Sequence, residues 1–251
     1  MNSSICLRRI ARHAPSARPL RPLYAPISRY QTRLASTSSY PPSADDIIAA
    51  SKNPDTSKPI MRLTDAQRDW LASAIRVNQT GELAARLIYL AQAPPVLRSH
   101  PHLRTTMDHM YDQEQGHFDV FSKMIVDHKV RPTAMYPIWE VAASFLGWST
   151  AVMGREAAMA CTEAVETEIG GHYNEQISTL LEWFADAAEK GERPDPELVT
   201  LLQDLRRIRD EELEHLDISV QHDAKEAKPY EPLIGVVRLG CRAAIKISQK
   251  I

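Results

Sequence analysis

Apolar residues recur every three to four positions over long stretches of the chain, a spacing that places them on one face of an α-helix. The first such stretch begins at Thr64, which together with Gln67 matches a helix capping box. Pro94 and Pro95 are expected to end this helix after about Gln92. Further helices are predicted over residues 99–128, 138–154, 156–190, 196–224 and 233–249. No stretch alternates apolar and polar residues as a half-buried strand does, so the pattern predicts an all-α helical bundle.

The most apolar of these segments covers residues 138–154 and contains Trp139, Trp148 and one charged residue, Glu140. Its length is marginal for crossing a membrane, which takes about 20 apolar residues. Two interpretations are open. The helix is either buried in the protein or lies in a membrane interface, where tryptophan is favoured.

Charge divides the chain into unequal parts. Residues 1–44 contain seven arginines but no lysine and no acidic residue, the composition of a mitochondrial transit peptide. We therefore predict a transit peptide over residues 1–40. A linker rich in proline, serine and aspartate, expected to be disordered, would follow over 41–60 and one folded domain over 61–251. The remainder of the chain is acidic, which argues against nucleic acid as a partner.

Two Glu-x-x-His pairs provide candidate metal ligands. They are Glu114 with His117 and Glu212 with His215, and they lie on different predicted helices. A residue three positions further along a helix projects from nearly the same face, so each pair can reach one ion. A four-helix di-iron site requires one additional glutamate from each of two other helices.

Candidates for these additional glutamates occur in the remaining long helices. Glu82 lies in the first helix and Glu166 in the fourth, although Glu163 shares the face of Glu166 one turn earlier. Four carboxylates and two imidazoles suit two iron or manganese ions, whereas structural zinc sites favour thiolates. The alternative is that these charged residues face water.

Several short segments of the chain are similar to one family. The segments TGE, YDQEQGHFD, VRPT, GREAAMACTEAVE, HYNEQI, RDEELEH and GCRAAI resemble the demethoxyubiquinone hydroxylases of mitochondria and bacteria, over about residues 70–251. The resemblance implies that the iron ligands are Glu82, Glu114, His117, Glu166, Glu212 and His215. It thereby favours Glu166 over Glu163. One departure is Asn78-Gln79-Thr80 before Gly81-Glu82, where the family is expected to have Asp-His-Ala.

The resemblance also implies a fold and an activity. The fold would be a ferritin-like four-helix di-iron bundle with two additional membrane-associating helices. The activity would be hydroxylation of the quinone ring of demethoxyubiquinone by a non-haem di-iron monooxygenase, with O2 and electrons from NADH, in the penultimate step of ubiquinone biosynthesis. The expected location is the matrix side of the mitochondrial inner membrane, where a lipid-binding accessory protein helps to present the substrate.

A substrate dissolved in lipid requires access from the bilayer surface. Residues 138–153 and 233–249 are the candidate membrane-contacting helices, and the basic residues Arg238, Arg242 and Lys246 are expected to meet anionic headgroups.

Other residues are candidates for supporting roles. Tyr173 lies two helical turns after Glu166, and with His172 it is a candidate for substrate contact or electron entry. Arg209 and Asp210 are candidates for a supporting hydrogen-bond network. Two alternative functions are a ferritin-like ferroxidase and a non-catalytic membrane-peripheral scaffold.

Overall fold

The computed structural model describes residues 43–251, and within them every regular element is helical. Seven α-helices follow in chain order: α1 (Ala44–Ser51), α2 (Asp65–Ser99), α3 (Arg104–Asp127), α4 (Tyr136–Met153), α5 (Arg155–Glu189), α6 (Pro196–Gln221) and α7 (Tyr230–Ser248). The all-α prediction is confirmed, and the four long helices α2, α3, α5 and α6 fit a ferritin-like bundle. The predicted transit peptide, residues 1–40, lies outside the described residues.

Capping residues mark the starts of α2 and α6 and the end of α5. At the start of α2, the Thr64 hydroxyl accepts a hydrogen bond from the backbone N–H of Gln67, whose side chain in turn accepts from the Thr64 N–H. These two bonds satisfy backbone donors that a helix N-terminus otherwise leaves unpaired. Asp195 caps α6 with Pro196 in the first helical position. Gly191 follows α5 with φ of 72°, a left-handed conformation that favours glycine.

Large side chains fill the core between α3, α5 and α6. Phe121, Tyr173, Phe184 and Leu202 are almost fully buried there, and the rings of Phe121 and Tyr173 stack with centroids 6.1 Å apart. Burying one such side chain contributes about 1.5–3 kcal/mol. This core fixes the spacing of the helices that carry the candidate ligands.

The helix α4 packs closely on α2. Its buried residues Ala143, Gly147 and Ala151 recur every four positions, as expected for one helix face. A Cβ atom at Gly147 would lie 2.4 Å from the carbonyl oxygen of Ile88, so the close approach requires glycine. A larger residue would push α4 away from α2.

The opposite side of α4 is apolar and exposed, as is one side of α7. We call these residues the apolar face: Ile138, Val141, Phe145, Trp148, Val152, Val236 and Leu239. The interpretation of residues 138–154 as a fully buried helix is therefore wrong. None of the helices in residues 43–251 combines the length and hydropathy needed to cross a membrane.

Two predictions about helix boundaries are wrong. Residues 44–51 of the predicted disordered linker form α1, whose Ile47 is buried in the core beside α6. Composition suggested a linker, but the burial of one apolar residue and a capping box at Ser43 are enough to hold this short helix. The prolines 94 and 95 do not end α2, which continues to Ser99 because its last turn buries Val96.

Candidate metal centre

Six acidic and imidazole side chains from four helices meet inside the bundle. The carboxylates are Glu82 on α2, Glu114 on α3, Glu166 on α5 and Glu212 on α6, and the imidazoles are His117 on α3 and His215 on α6. None of the six is more than 1% exposed. The alternative that these residues face water is therefore wrong.

Their ligand atoms form two overlapping groups. One group contains Glu82, Glu114, His117 and Glu212, and the other contains Glu114, Glu166, Glu212 and His215. Within each group the atoms lie within 4.8 Å of one another. Because Glu114 and Glu212 belong to both groups, their carboxylates are positioned to bridge two ions.

Most polar atoms at the centre of this cluster are buried without a hydrogen bond inside the protein. They are both carboxylate oxygens of Glu114 and Glu212, one oxygen each of Glu82 and Glu166, and Nδ1 of His117 and His215. Burying an unpaired charged atom is strongly unfavourable. Two divalent cations would balance four carboxylates and give these atoms partners, so the donor set fits a two-metal centre.

The pKa values of the clustered residues also indicate a site that binds cations. Burial, followed by the nearby charge of Glu212, raises the pKa of Glu114 well above its ordinary value, and the pKa of Glu166 is raised for the same reasons. Burial disfavours a charged imidazole at His117, but contacts of its ring with Glu212 and Glu82 outweigh this and raise its pKa to about 12. Without cations, the site therefore retains protons that a metal would displace.

Two tyrosines support the glutamates that belong to only one group. The hydroxyl of Tyr173 on α5 donates to Glu82 on α2, and the hydroxyl of Tyr89 on α2 donates to Glu166 on α5. Each tyrosine lies seven residues after the glutamate of its own helix. Its hydroxyl donates a hydrogen bond to the glutamate of the other helix. These crossed bonds fix the orientation of both carboxylates.

Two further residues hold the histidines, again across helices. The Nε2 atom of His117 on α3 lies 2.5 Å from Glu211 on α6, and Nε2 of His215 on α6 lies 2.9 Å from Gln113 on α3. In both rings Nδ1 faces the carboxylates, 3.1 Å from Glu212 for His117 and 3.2 Å for His215. A partner on Nε2 places the proton there and leaves Nδ1 as the ligand atom.

Three other predicted site residues lie elsewhere. The ring of His172 is paired with Glu175 at 3.8 Å, and Arg209 pairs with Asp210 at 2.7 Å. Arg209 also donates to Asn174, on the outside of the bundle. Tyr173 contacts the cluster, but the other three make no described hydrogen bond to it.

Glu163 is also separate from the cluster. Its carboxylate binds the Lys225 ammonium and accepts a hydrogen bond from the Tyr230 hydroxyl. These contacts tie Glu163 to the segment before α7 and to the first residue of α7. Of the two glutamates that helical spacing leaves open, Glu166 is the one that lies in the buried cluster.

Sequence reasoning missed Tyr89, Gln113 and Glu211. The spacing that singled out Tyr173, two turns after a lone glutamate, applies equally to Tyr89 and Glu82. Gln113 and Glu211 each directly precede the glutamate of a Glu-x-x-His pair, but nothing in a single sequence shows that they reach across to the other helix.

The chain is similar to proteins of known activity. A family model described as Ubiquinone biosynthesis protein COQ7 matches residues 69–248, which include all six ligand candidates. The 5-demethoxyubiquinone hydroxylase, mitochondrial, of Saccharomyces cerevisiae is 39% identical over 201 residues, 80% of this chain and 86% of that protein. The human NADPH-dependent 3-demethoxyubiquinone 3-hydroxylase, mitochondrial, is 40% identical over 191 residues, 76% and 82% of the two chains. The 3-demethoxyubiquinol 3-hydroxylase of Rhodospirillum rubrum is 33% identical over 227 residues, which cover 90% of this chain and 99% of that protein.

Proposed function

The chain belongs to the COQ7 family of ubiquinone biosynthesis proteins, and we propose that it is a non-haem di-iron monooxygenase acting on demethoxyubiquinone. It is a hydroxylase of the quinone ring, as the names of its relatives state for those proteins. The reaction uses O2 and electrons from a reduced nicotinamide nucleotide, in the penultimate step of ubiquinone biosynthesis.

The observation that carries this proposal is the convergence of eight buried, unpartnered ligand atoms from four helices. Glu82, Glu114, His117, Glu166, Glu212 and His215 would hold two irons, with Glu114 and Glu212 shared between them. When bound, the irons supply two electrons and open positions for O2 at one place.

The protein's own residues prepare the site for this chemistry. Tyr89 and Tyr173 keep two carboxylates in fixed orientations through their hydroxyl bonds. Glu211 and Gln113 hold the histidines with Nδ1 directed inward. The almost complete burial of the ligands keeps bulk water away from the reacting ring.

An apolar cleft offers a path for the quinone. It has a volume of about 310 Å³ and lies between α2, α4, α5 and α7. Its lining includes Gly81 and Val165, the immediate neighbours of Glu82 and Glu166, together with Leu146 on α4. A larger groove of about 910 Å³ near Leu71 has no ligand residue or ligand neighbour in its lining, so we assign the substrate to the smaller, more apolar cleft.

The apolar face defined above flanks this cleft and is the proposed membrane contact. Arg238 and Arg242 on α7 are not free cations, because both bind the carboxylate of Glu168 at 2.5 and 2.8 Å. Their expected contact with anionic headgroups is therefore partly replaced by an internal ion pair, while Lys246 remains exposed. Membrane affinity should depend mainly on the apolar residues.

A vesicle-binding experiment tests this surface. Replacing Phe145 and Trp148 together by serine removes two exposed rings, so we expect binding to phospholipid vesicles to weaken by at least about tenfold with unchanged helicity. Val126→Ser is the matched control, because Val126 is 73% exposed at the end of α3, outside the apolar face. Equal binding by all three proteins would exclude the proposed contact.

Location, partner and electron donor are part of the same proposal. Residues 1–40 direct the protein to the mitochondrion, where it lies on the matrix side of the inner membrane and receives substrate with the help of a lipid-binding accessory protein. The mitochondrial names of relatives support the compartment. N-terminal sequencing of the mature protein tests the targeting segment.

The identity of the nucleotide requires a direct comparison. The resemblance implied NADH, whereas several relatives are named NADPH-dependent. Iron reduction under anaerobic conditions, measured with each nucleotide in turn, decides between them. The names of these relatives favour faster reduction by NADPH.

Metal analysis combined with turnover tests the central proposal. We expect about two irons per chain and hydroxylation of demethoxyubiquinone, with His215→Ala losing turnover while helicity is retained. Absence of bound iron would favour the scaffold alternative. Iron oxidation without quinone hydroxylation, in a cage-sized assembly, would favour the ferroxidase.

A further inference from the structure

The two ligand histidines are held by chemically different groups. We propose that this difference makes the two metal positions unequal, and that the position at His117 binds its ion more tightly than the position at His215. The inference rests on the proposed two-metal site and adds to it an assignment of roles for Glu211 and Gln113, which are positioning residues.

The geometry of the two imidazoles is otherwise matched. Each ring directs Nδ1 at the carboxylates and Nε2 at a side chain of the opposite helix. A ring that binds a cation through Nδ1 carries its proton on Nε2, so it donates a hydrogen bond there. His117 donates to the carboxylate of Glu211, and His215 donates to the amide oxygen of Gln113.

The charge of the acceptor distinguishes these two bonds. A hydrogen bond to a carboxylate is shorter and about twice as strong as one between neutral groups, in keeping with 2.5 Å for His117 and 2.9 Å for His215. An anionic acceptor makes the imidazole a stronger electron donor to a metal. Arg207 orients Glu211 through contacts of 3.0 and 3.2 Å, but it is half exposed, so water screens much of its opposing charge.

The remaining ligands do not offset this difference. Glu114 and Glu212 are common to both metal positions. Glu82 and Glu166, one at each position, each accept a hydrogen bond from one tyrosine. The acceptors on the histidines, Glu211 and Gln113, are therefore the clearest chemical asymmetry next to the ligands.

Isothermal titration calorimetry of the metal-free, full-length protein with Mn²⁺ measures the two affinities. For the wild type we expect two separate dissociation constants. Glu211→Gln should raise the smaller constant by about tenfold, the lower end of the effect of losing a histidine's hydrogen-bond partner. Gln113→Glu should lower the larger constant, and the double exchange Gln113→Glu with Glu211→Gln should move the tighter position to His215.

Glu214→Gln is the matched control. It removes the same charge from the same helix, but Glu214 is half exposed and faces His109 at 3.7 Å, not a ligand histidine. Electron paramagnetic resonance after one equivalent of Mn²⁺ gives a second readout, because the exchange should change the spectrum of the singly loaded protein.

The outcomes separate the possible failures. If Glu211→Gln and Gln113→Glu bind Mn²⁺ with the same constants as Glu214→Gln, the proposed inequality is wrong although the metal site stands. If the wild type binds no Mn²⁺ or Fe²⁺, the proposed function itself fails. If Glu211→Gln does not fold, Gln113→Glu still decides the question, because an unchanged weaker constant overturns the inference.

Discussion

The first half of the site, on α2 and α3, and the second half, on α5 and α6, are built from equivalent positions. Each half supplies a lone glutamate, a tyrosine seven residues later and a Glu-x-x-His pair. The tyrosine and the residue directly before the Glu-x-x-His pair each form a hydrogen bond with a candidate ligand of the opposite half. Because all four of these hydrogen bonds join one half to the other, neither half can orient its ligands alone.

The halves differ one layer further out. The buried amides of Asn78 and Gln176 exchange two hydrogen bonds, at 2.9 and 2.7 Å. At the equivalent positions, Gln92 donates to the Ala158 carbonyl at 3.1 Å and meets the Thr162 hydroxyl at 3.4 Å. The comparison indicates that the six candidate ligands and the two tyrosines keep the two-fold symmetry. The partners of the histidines and the outer amides depart from it.

The largest expected effect separates shared ligands from unshared ones. Glu114→Gln removes a carboxylate common to both metal positions, so we expect iron to fall from about two per chain to almost none. Glu82→Gln affects one position and should retain about one iron. Hydroxylation should be lost in both variants, so metal content after purification is the informative measurement.

The second half provides the control for this experiment. Glu212→Gln and Glu166→Gln should reproduce the same contrast, because Glu212 is shared and Glu166 is not. Equal residual iron in shared and unshared variants would contradict the bridging assignment.

The next effect uses the unequal protonation of two equivalent glutamates. Burial and the charge of Glu212 raise the pKa of Glu114, whereas contacts with His117 and His215 outweigh burial and lower the pKa of Glu212. Metal binding must displace the proton on Glu114 and those on the histidines, so affinity should rise with pH by about tenfold per unit for each proton released. Metal-competition titrations at about pH 6, 7 and 8 measure this slope, and a pH-independent affinity would contradict it.

The same shifts set the stability of the metal-free protein. The folded state keeps a proton on Glu114 that the unfolded chain releases above its ordinary pKa of 4.5, so this contribution to stability falls as the pH rises towards the folded-state pKa. Glu212 acts in the opposite sense, because its stabilisation is present above pH 4.5 and is lost as the pH falls.

A smaller effect tests whether Tyr89 and Tyr173 have the same role at the site. Tyr89→Phe and Tyr173→Phe each remove one hydroxyl from a buried carboxylate, and we expect similar stability losses of about 1–3 kcal/mol. Tyr89→Phe should lower turnover by about tenfold. Tyr173→Phe should lower it further if Tyr173 also serves the substrate or electron entry, and equal turnover losses would count against that role.

The helices themselves were largely predictable from the chain. Apolar periodicity, the capping box at Thr64 and the proline at position 196 placed the starts of α2 and α6 correctly. The errors arose where tertiary contacts override local signals. Val96 is buried strongly enough to extend α2 past two prolines, and Ile47 finds a place in the core that composition alone does not reveal.

The six candidate ligands could also be proposed from the sequence, but not the residues that form hydrogen bonds to them. Glu and His at helical spacing identify a shared face within one helix. Glu82 and Glu166 follow as candidates on the other two long helices, and the resemblance favours Glu166 over Glu163. Glu211 lies in a helix rich in carboxylates, and only the approach of α6 to α3 brings it to His117. Contacts between helices cannot be derived from spacing within one helix.

The smallest expected effect concerns the outer layer, where the halves already differ. Gln176→Ala should leave both polar atoms of the buried Asn78 amide without partners, at a cost of about 1–3 kcal/mol for each unsatisfied group. Gln92→Ala removes the partner of the Ala158 carbonyl and of the Thr162 hydroxyl. Because the Ala158 carbonyl lies within a helix, we expect this variant to lose about 1 kcal/mol less stability than Gln176→Ala. Urea denaturation at constant m value measures the difference, with iron content unchanged in both variants. An equal loss of stability would mean that the two amide sites are as symmetric as the ligands, and that the asymmetry is confined to the residues that hold the histidines.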